Sequence, residues 1–562
     1  MTERAAKRWV VAPPPPPDAL AHLPRPIAAV LWHRGIHDRE SAERFLHPRL
    51  SHLRDPLALP GMTAAVARVL RAIDDREPIV VYGDYDVDGI TACALLTKAF
   101  RVLGAQTAYF LPRRLDEGYG LSRSALQRCC RQHRPRLLVA VDCGIASVQE
   151  VSHLQATDTD VIILDHHEPG SQLPPATAVV NPKLEAGHAP LAAVGVAFKL
   201  IHALAKTRPA YRAMLDLRAM LDLVALGTIA DLVPLIGENR IVARHGLQQL
   251  ADTNRVGLRA LCELAAVHPP ITPGHIGYRL GPRLNAAGRL ADAEAALELL
   301  LTEDADRARQ LATLLNEHNA ARQQVEETIF RNARVQAERA AETGARVLVV
   351  ADPTWHVGVI GIVAARLMQE FYRPVIVIGA GGKGSARSIP GFSIIAALRA
   401  CDRWLSNYGG HELAAGLTVQ PTHEAALQSE LDAYAATALP AEEWQPKLHL
   451  DAELSLGDLN EELFQRLKDL EPFGVENPTP CFVTRRVQVR GTPTVLGKSH
   501  LRFSVSDGQR TLPAIWWGHA DHELPRGAFD LAFEAETENY QGLETVRLVV
   551  RDFKPPSEPR RS

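Results

Sequence analysis

The chain has 562 residues, with 46% hydrophobic and 23% charged residues and a formal net charge of −3. This length exceeds what one hydrophobic core supports, so we expect about three or four domains. The charge excludes a bulk polycation, no run of 18 apolar residues predicts a membrane span, and seven cysteines without a CxxC pair exclude a zinc ribbon.

Residues 1–55 are predicted to form a Pro-rich arm followed by short helices. Five consecutive prolines occupy residues 13–17, and residues 36–45 show a helical pattern. The segment lacks the apolar core of a secretory signal. Together with the cysteine pattern, this predicts a cytoplasmic protein.

Residues 56–245 alternate short apolar runs with segments rich in Ala, Leu and Arg. Strands are predicted at residues 78–81, 107–111, 137–141, 161–164 and 178–180, with helices between them, for example at 90–103. Such alternation predicts an α/β fold with a mostly parallel sheet covered by helices.

Acidic residues follow three of these predicted strands. The motifs are VVYGDYDVDG with Asp84, Asp86 and Asp88, LLVAVDCG with Asp142, and VIILDHH with Asp165, His166 and His167. The carboxyl ends of parallel strands open onto one crevice. Acids crowded there repel each other unless cations neutralise them, so the pattern favours a metal site, most economically binuclear.

The DYDVDG motif also matches the start of an EF-hand loop and the pattern of a solvated acidic turn. An EF-hand loop beginning at Asp84 would need a bidentate Glu at its twelfth position, which is Leu95, and a helix before it. A solvated acidic turn is a common use of Asp and Gly, but acids after two neighbouring strands disfavour it. Because adjacent side chains leave a strand in opposite directions, we expect one ligand among His166 and His167 and another role for the second.

A further carboxylate lies in the apolar run LVALGTIADLVPL. Asp231 there is either a solvated helix end or a metal ligand. A mixed set of oxygen and imidazole ligands suits Mg²⁺ or Mn²⁺ better than structural Zn²⁺. We therefore expect two divalent cations, Mn²⁺ or Mg²⁺, and phosphoryl hydrolysis without a covalent nucleophile.

Residues 246–343 are predicted to be a helical region ending in a long connecting helix. It contains the segment IGYRLGPRLNAAGRL at 276–290, which we expect to be a loop, with Arg283 and Arg289 as basic residues. From residue 302 to about 342 there is no Gly or Pro, which predicts a spacer helix of about 55–60 Å that Gly344 ends.

Two further domains are predicted beyond the spacer. Residues 344–440 form a second α/β domain with a glycine-rich loop, GAGGKGSARSIPG, whose Ser385 and Arg387 could bind an anion. Residues 446–553 show the short alternating strands of a small β-barrel, and residues 554–562 a disordered tail. Candidate stacking residues on the barrel are Phe503, Trp516, Trp517 and Tyr540, of which about half should instead be core.

In these motifs the chain resembles the DHH phosphoesterase superfamily. VVYGDYDVDG, VDCG, LDHH and GTIADLVPL occur in the family's order, and GPRLNAAGRL, WHVGVIGIVAARL, GKGSARSIPG and GGHELAAG are similar to its bacterial exonucleases specific for single-stranded DNA. The likeness covers most of residues 75–420 and is weaker in the barrel. It implies hydrolysis in the 5′→3′ direction, releasing 5′-mononucleotides, in DNA recombination and repair.

The resemblance also implies roles for single residues. Metal ligation falls on Asp86, Asp88, Asp142, His166 and Asp231, and Asp84 and His167 complete the catalytic set. Substrate binding falls on Arg114, Arg283, Ser385, Arg387 and His411. It further implies that the barrel is an OB-like domain and that the protein is a monomer. The partners that it implies are single-strand binding protein and a RecQ-type helicase.

Two rival functions remain. A phosphodiesterase or pyrophosphatase for small substrates would share the acidic motifs but needs neither a long spacer nor a barrel. A single-strand-binding scaffold without activity would not need complete acidic motifs. Single-stranded DNA is therefore the expected substrate.

Overall fold

The computed structural model describes residues 6–113, 116–118, 120–290, 292–497, 499–540 and 543–556. These residues form two compact units. The first contains His52–Val233 and Glu238–Gln445. The second contains Ala6–Ser51, Pro234–Gly237 and the chain from Pro446 onward.

Strands and helices are numbered in chain order. The strands are β1 (Arg8–Val11), β2 (Ile79–Tyr82), β3 (Thr107–Phe110), β4 (Leu137–Val141), β5 (Asp160–Leu164), β6 (Ala178–Val180), β7 (Leu348–Ala351), β8 (Val375–Ile378), β9 (Lys383–Arg387), β10 (Leu405–Gly410), β11 (Ala414–Val419), β12 (Lys447–Leu450), β13 (Ala452–Glu453), β14 (Cys481–Leu496), β15 (His500–Ser506), β16 (Thr511–Trp516), β17 (Phe529–Tyr540) and β18 (Leu543–Lys554). The helices are α1 (Arg25–His33), α2 (Arg39–Leu46), α3 (Met62–Asp74), α4 (Val87–Val102), α5 (Arg123–His133), α6 (Val148–Gln155), α7 (Ala193–Thr207), α8 (Pro209–Met214), α9 (Leu221–Ala230), α10 (Gly237–Ala251), α11 (Val256–Leu264), α12 (Pro273–His275), α13 (Gly281–Leu290), α14 (Glu294–Leu301), α15 (Ala305–Glu342), α16 (Ile360–Phe371), α17 (Ile394–Ala400), α18 (Glu424–Ala438) and α19 (Glu461–Asp469).

The first sheet is parallel throughout and has the strand order β3-β2-β4-β5-β6. Its central strands are buried on both faces, with α5 and α6 packing on one face and α4 and α7 contacting the strands as well. This explains their continuous Val, Ile and Leu runs. The chain runs from β2 to β3 in one direction and then returns to β4 on the other side. The order therefore reverses between β2 and β4, which is where such sheets bind ligands.

The predicted strands of this sheet are confirmed to within a residue at each end. The segment at 276–290, expected to be a loop, is instead helical. A π-helical turn at Ile276–Leu280 leads directly into α13. Pro282 lies in the first turn of α13, where a missing backbone N–H costs nothing, so the Gly-Pro pair starts the helix and does not break it.

The long connecting helix is confirmed as α15, which has 38 residues and would span about 57 Å at 1.5 Å per residue. Asp304 caps its start by accepting hydrogen bonds from the backbone N–H groups of Asp306 and Arg307. Gly344, with φ of 86°, follows its end. The helix packs on α11 and α13 near its start and on α16 and β7 near its end.

The second sheet has the order β10-β11-β9-β8-β7 and mixes parallel and antiparallel pairs. The prediction of a glycine-rich loop around residue 385 is wrong, because Lys383–Arg387 is strand β9 inside this sheet. Its backbone pairs with β8 and β11, so only side chains are left to bind an anion.

The second unit contains the barrel, in which β14, β15, β16, β18 and β17 pair in sequence and β17 pairs back to β14. The N-terminal arm belongs to this unit: β1 pairs in parallel with β12, and α1 packs on α19. The tail predicted at 554–562 lies outside the described residues from 557 onward.

The barrel core contains two of the four candidate stacking residues. Phe503 and Trp516 are buried in it and belong to the half that was expected to be core, so they are not stacking residues. Trp517 is 42% exposed and has the Arg547 guanidinium 5.7 Å from its ring centre. The side chain of Tyr540 lies outside the described part of the chain.

In the described part of the chain, no single helix is long and apolar enough to cross a membrane. The segments Leu50–Ala58 and Met62–Asp74, bent by 80°, meet the criteria of length and composition only as a pair.

Candidate metal centre and phosphate-binding site

The predicted acids meet at the reversal of the first sheet. Asp84 follows β2, Asp142 follows β4, and Asp231 directly follows the last residue of α9. Asp86 caps α4 by accepting a hydrogen bond from Gly89 N–H, and Asp88 lies in the first turn of the same helix. Four different elements therefore bring five carboxylates to one crevice.

The imidazole of His166 lies among these carboxylates. Its Nε2 is 3.2 Å from Asp142 Oδ1, 3.6 Å from Asp231 Oδ2 and 3.8 Å from Asp88 Oδ2. Asp142 reaches this position with a φ of 64°, a left-handed conformation that Asp tolerates better than most residues.

Burial perturbs the ionisation of the cluster. It raises the pKa of Asp88 and of Asp142 well above the usual range, and neighbouring carboxylates raise both further. Burial, with a contribution from Asp86, raises the pKa of Asp231 to about 7. Burial and the adjacent His167 lower the pKa of His166 to about 4. The protein alone therefore disfavours both the charged carboxylates and a charged His166.

Asp165 differs from the other acids because its own neighbourhood satisfies it. It accepts hydrogen bonds from the backbone N–H groups of Ile145, His166 and His167, and its Oδ1 lies 2.7 Å from His167 Nδ1. Burial opposes its ionisation, but the hydrogen bonds from His167 and Ile145, together with the charge of His167, outweigh this and hold its pKa below the usual value. The same contact raises the pKa of His167 despite burial. The imidazoles of the adjacent histidines thus have different nearest carboxylates, Asp142 for His166 and Asp165 for His167.

The residues present fit a divalent cation. Three overlapping groups bring one ligand atom per residue within 4.8 Å of each other: Asp84, Asp86 and Asp142; Asp88, His166 and Asp231; and Asp142, His166 and His167. A neutral imidazole and carboxylates are the donors that Mn²⁺ accepts, and a cation would offset the burial and the repulsion that raise the pKa values of Asp88, Asp142 and Asp231.

Sequence reasoning missed two residues that support the segment between β2 and α4, which carries Asp84 and Asp86. Asn285 Oδ1 accepts the backbone N–H of Val87, and Gly288 lies so close that a Cβ there would be 2.7 Å from the carbonyl oxygen of Tyr85. Both belong to α13, in whose GPRLNAAGR motif only the arginines were predicted to be functional. Asn and Gly at helical spacing in a motif give a weak signal of close backbone approach.

A Gly288→Ala variant should therefore move the segment that carries Asp84 and Asp86. We expect a loss of about 1–3 kcal/mol of stability from overpacking, together with a roughly 10- to 100-fold lower kcat. Thermal unfolding and steady-state kinetics measure both. Gly274→Ala is the control, because its Cβ would meet nothing closer than Thr272 Oγ1 at 3.6 Å. Equal kinetics for both variants would contradict this role of Gly288.

Ser385 and Arg387 lie together on β9. Arg387 Nη1 lies 3.3 Å from Ser385 Oγ and donates a hydrogen bond to Ala386 O at 2.8 Å. A Cβ on Gly361, in the first turn of α16, would lie 3.0 Å from Ser385 Oγ and 3.4 Å from Arg387 Nη2. The pair thus faces a helix N-terminus, which favours anions, while burial lowers the pKa of Arg387.

The remaining predicted substrate-binding residues are more scattered. His411 is exposed in the turn between β10 and β11. The contact with Lys183 lowers the pKa of the Glu168 carboxyl most, and the nearby His411 lowers it further. Arg283 donates hydrogen bonds to Asn316 Oδ1 and Arg279 O. Arg114 lies outside the described residues.

The two lobes of the first unit meet next to this site. Arg289 of α13 donates a hydrogen bond to the carbonyl of Gly358, just before α16. The acid cluster and the Ser385–Arg387 pair are therefore linked through α13, the hydrogen bond from Arg289 to Gly358, and the start of α16.

Comparisons with known proteins agree with this architecture. Family models match the DHH family N-terminal domain at residues 78–228, the DHHA1 domain at 344–437 and the RecJ OB domain at 450–552. The chain is 35% identical over 544 residues to the single-stranded-DNA-specific exonuclease RecJ of Bacillus subtilis, covering 94% of this chain and 68% of that protein. With the RecJ of Escherichia coli it is 33% identical over 577 residues, covering 96% and 97%.

Solved structures give the same result. RecJ from Thermus thermophilus in complex with Mn²⁺ superposes with a TM-score of 0.85 at 33% identity, covering 99% of this chain and 81% of that one. The Mg²⁺ complex from the same organism gives a TM-score of 0.79 at 31% identity, covering 98% and 79%. The Thermus thermophilus relative thus binds divalent cations of the kind that the acid cluster fits, Mn²⁺ in one structure and Mg²⁺ in the other. The chain belongs to the RecJ family.

Proposed function

We propose that the protein is a divalent-metal-dependent exonuclease that degrades single-stranded DNA in the 5′→3′ direction, releasing 5′-mononucleotides in recombination and repair. The observation that carries this is the convergence of five carboxylates and His166 at the reversal of the first sheet. Membership in a family of single-stranded-DNA-specific exonucleases supplies the substrate class.

We assign cation binding to Asp86, Asp88, Asp142, His166 and Asp231, with Asp84 beside them. Two Mn²⁺ or Mg²⁺ ions bound there would lower the pKa of water and stabilise negative charge on the phosphoryl oxygens. The two backbone N–H groups of Ala193 and Val194 donate to the Asp88 carboxylate at 2.6 and 2.8 Å, which fixes its orientation before any cation binds.

His167 has a separate role in this proposal. Asp165 contacts Nδ1, and the raised pKa favours the protonated ring. A protonated imidazole would donate a hydrogen bond to a phosphate oxygen and stabilise its charge in the transition state.

The direction of digestion comes from the second lobe. Ser385 Oγ, the Arg387 guanidinium and the N-terminus of α16 would bind the 5′-terminal phosphate. Arg114 would share this contact, Arg283 would bind a backbone phosphate, and His411 would line the same lobe. With the strand end fixed there, the bond that reaches the acid cluster is always near the 5′ end.

Other assignments complete the proposal. The barrel would bind longer strands through sequence-tolerant stacking and charge contacts, with Trp517 as the best placed ring. Single-strand binding protein and a RecQ-type helicase are proposed partners of a monomeric, cytoplasmic enzyme. A small-substrate phosphodiesterase would leave the barrel without a role.

One assay tests the function. The protein is incubated with Mn²⁺ and 5′-phosphorylated oligonucleotides that carry a label at either end. We expect the 5′ label to appear at once in mononucleotides and the 3′ label to remain on progressively shorter strands. Blunt duplex and cyclic dinucleotides should resist, and chelation with EDTA should stop the reaction. Early release of the 3′ label, or faster cleavage of cyclic dinucleotides, would contradict the proposal.

Cation binding should also be visible without substrate. Adding Mn²⁺ to metal-free protein should raise its melting temperature in a concentration-dependent way, since a ligand that binds only the folded state stabilises it. Differential scanning fluorimetry measures this. An Asp88→Asn variant should show a much smaller increase, whereas an equal increase would place the binding elsewhere.

A further inference from the structure

Two large apolar side chains are more exposed than any others in the described part of the chain. They are Tyr278, at 86%, and Leu232, at 67%. Leu232 directly follows Asp231, and Tyr278 precedes α13 by three residues. The two segments touch, since a Cβ on Gly281 would lie 3.8 Å from that of Ala230. The most exposed apolar groups therefore lie at the edge of the acid cluster.

Both residues occupy uncommon backbone conformations. Leu232 has a φ of 59°, in the left-handed region that a bulky residue rarely adopts. Tyr278 lies at the centre of the π-helical turn Ile276–Leu280, whose two end residues are buried while the three between them are exposed. Such turns are rare and occur frequently at functional sites, and strained residues persist where they position a group.

Tyr278 borders a cavity of about 720 Å³. Ala230 and Asn285 line it on the side of the acid cluster, and Ile362 and Arg366 on the side of α16. Ile362 follows Gly361, which abuts the Ser385–Arg387 pair. The cavity therefore lies between the two sites that would hold the scissile phosphate and the 5′-terminal phosphate.

We propose that Tyr278 is the platform on which one of the first three nucleobases of the strand stacks, with Leu232 as an apolar contact beside the scissile bond. This deepens the proposed function and rests on it. A strand held at both phosphate sites must place its first bases in or beside this cavity. An aromatic ring accepts any base, because every base has a π-face, and neighbouring Arg279 and Arg283 offer charge to the backbone. In a duplex both faces of an internal base are covered, so the contact also favours single strands.

The test combines protein variants with modified substrates. Tyr278→Ala should raise KM on a 5′-phosphorylated single strand by roughly 5- to 100-fold with little change in kcat, the range that base stacking contributes. Tyr278→Phe should keep wild-type kinetics because the ring is retained. Met214→Ala, which removes an apolar side chain 49% exposed at the end of α8, is the control and should change nothing.

The decisive comparison uses oligonucleotides with a single abasic residue at position 1, 2 or 3 from the 5′ end. At one of these positions the wild-type KM should rise by the factor seen for Tyr278→Ala, and the variant should lose nothing further. A structural role of Tyr278 would instead make the two losses multiply at every position, which would overturn the stacking assignment, as would an unchanged KM in Tyr278→Ala. A wild-type protein that releases no mononucleotides would contradict the proposed function itself.

Discussion

Replacing Asp142 by Asn is expected to lower the cleavage rate by at least about 10³-fold, a loss of roughly 4 kcal/mol of transition-state stabilisation. Asp142 is the carboxylate nearest to His166 Nε2 and belongs to two of the three candidate ligand groups. Asn keeps the shape and tolerates the left-handed φ, so the variant removes charge without straining the backbone. Alanine at this position should abolish cleavage too.

The same variant should be more stable than the wild type when both are metal-free. Burial and the surrounding carboxylates raise the pKa of Asp142, so a neutral side chain relieves a cost that the folded state carries. Thermal unfolding in EDTA, rates with Mn²⁺ and filter binding of single-stranded DNA give the three readouts. We expect a higher melting temperature, no cleavage and largely retained DNA binding.

Asp222 is the matched control. It is also a buried Asp on the helix that precedes Asp231, but Arg255 and Thr253 satisfy its carboxylate. Asp222→Asn should therefore lose stability and keep a wild-type rate in the folded fraction. If Asp142→Asn behaved like Asp222→Asn, the carboxylate of Asp142 would be structural and the assignment would fail.

The second large effect is expected at Arg387. Arg387→Ala should remove the preference for a 5′-phosphate over a 5′-hydroxyl end, because hydrogen bonds to a charged group contribute about 1.5–3 kcal/mol, or roughly 10- to 150-fold in KM. Activity on the 5′-hydroxyl strand should persist. Competition between the two labelled ends in one reaction measures the preference directly.

Two further variants sharpen this test. Arg387→Lys keeps the charge but loses the planar fork, so an intermediate preference is expected. Arg403→Ala removes an exposed arginine of the same lobe that pairs with Glu430, and it should leave the preference unchanged. A full preference for the 5′-phosphate in Arg387→Ala would show that the strand end is held elsewhere.

Much of the catalytic lobe could be predicted because its signals are local. Buried parallel strands appear as continuous apolar runs, so the ends of β2, β4 and β5 could be located, and their acids with them. Asp231 was a predictable candidate for a similar reason, since a single charge in an apolar run needs a partner.

The errors arose where tertiary pairing decides the structure. The glycines around Ser385 suggested a loop, but pairing with two neighbouring strands makes Lys383–Arg387 a strand. Glycine and proline in GPRLNAAGR likewise suggested a loop, although the proline starts a helix and Gly288 allows close approach to Tyr85. Neither the strand pairing nor the close approach of the helix can be predicted from a few neighbouring residues.

The N-terminal arm shows the same limit over a longer distance. The partner of β1 is β12, which lies in the C-terminal quarter of the chain, and no local pattern could indicate it. Similarly, alternation in the barrel showed that about half of its aromatic residues are core, but not which half.

The most direct test of the account is to locate the cations. Crystals grown with MnCl₂ and measured at the manganese absorption edge should show two anomalous peaks, both among Asp84, Asp86, Asp88, Asp142, His166 and Asp231. Strong peaks at other residues, or none in this crevice at saturating Mn²⁺, would contradict the central claim that these acids form the catalytic metal centre.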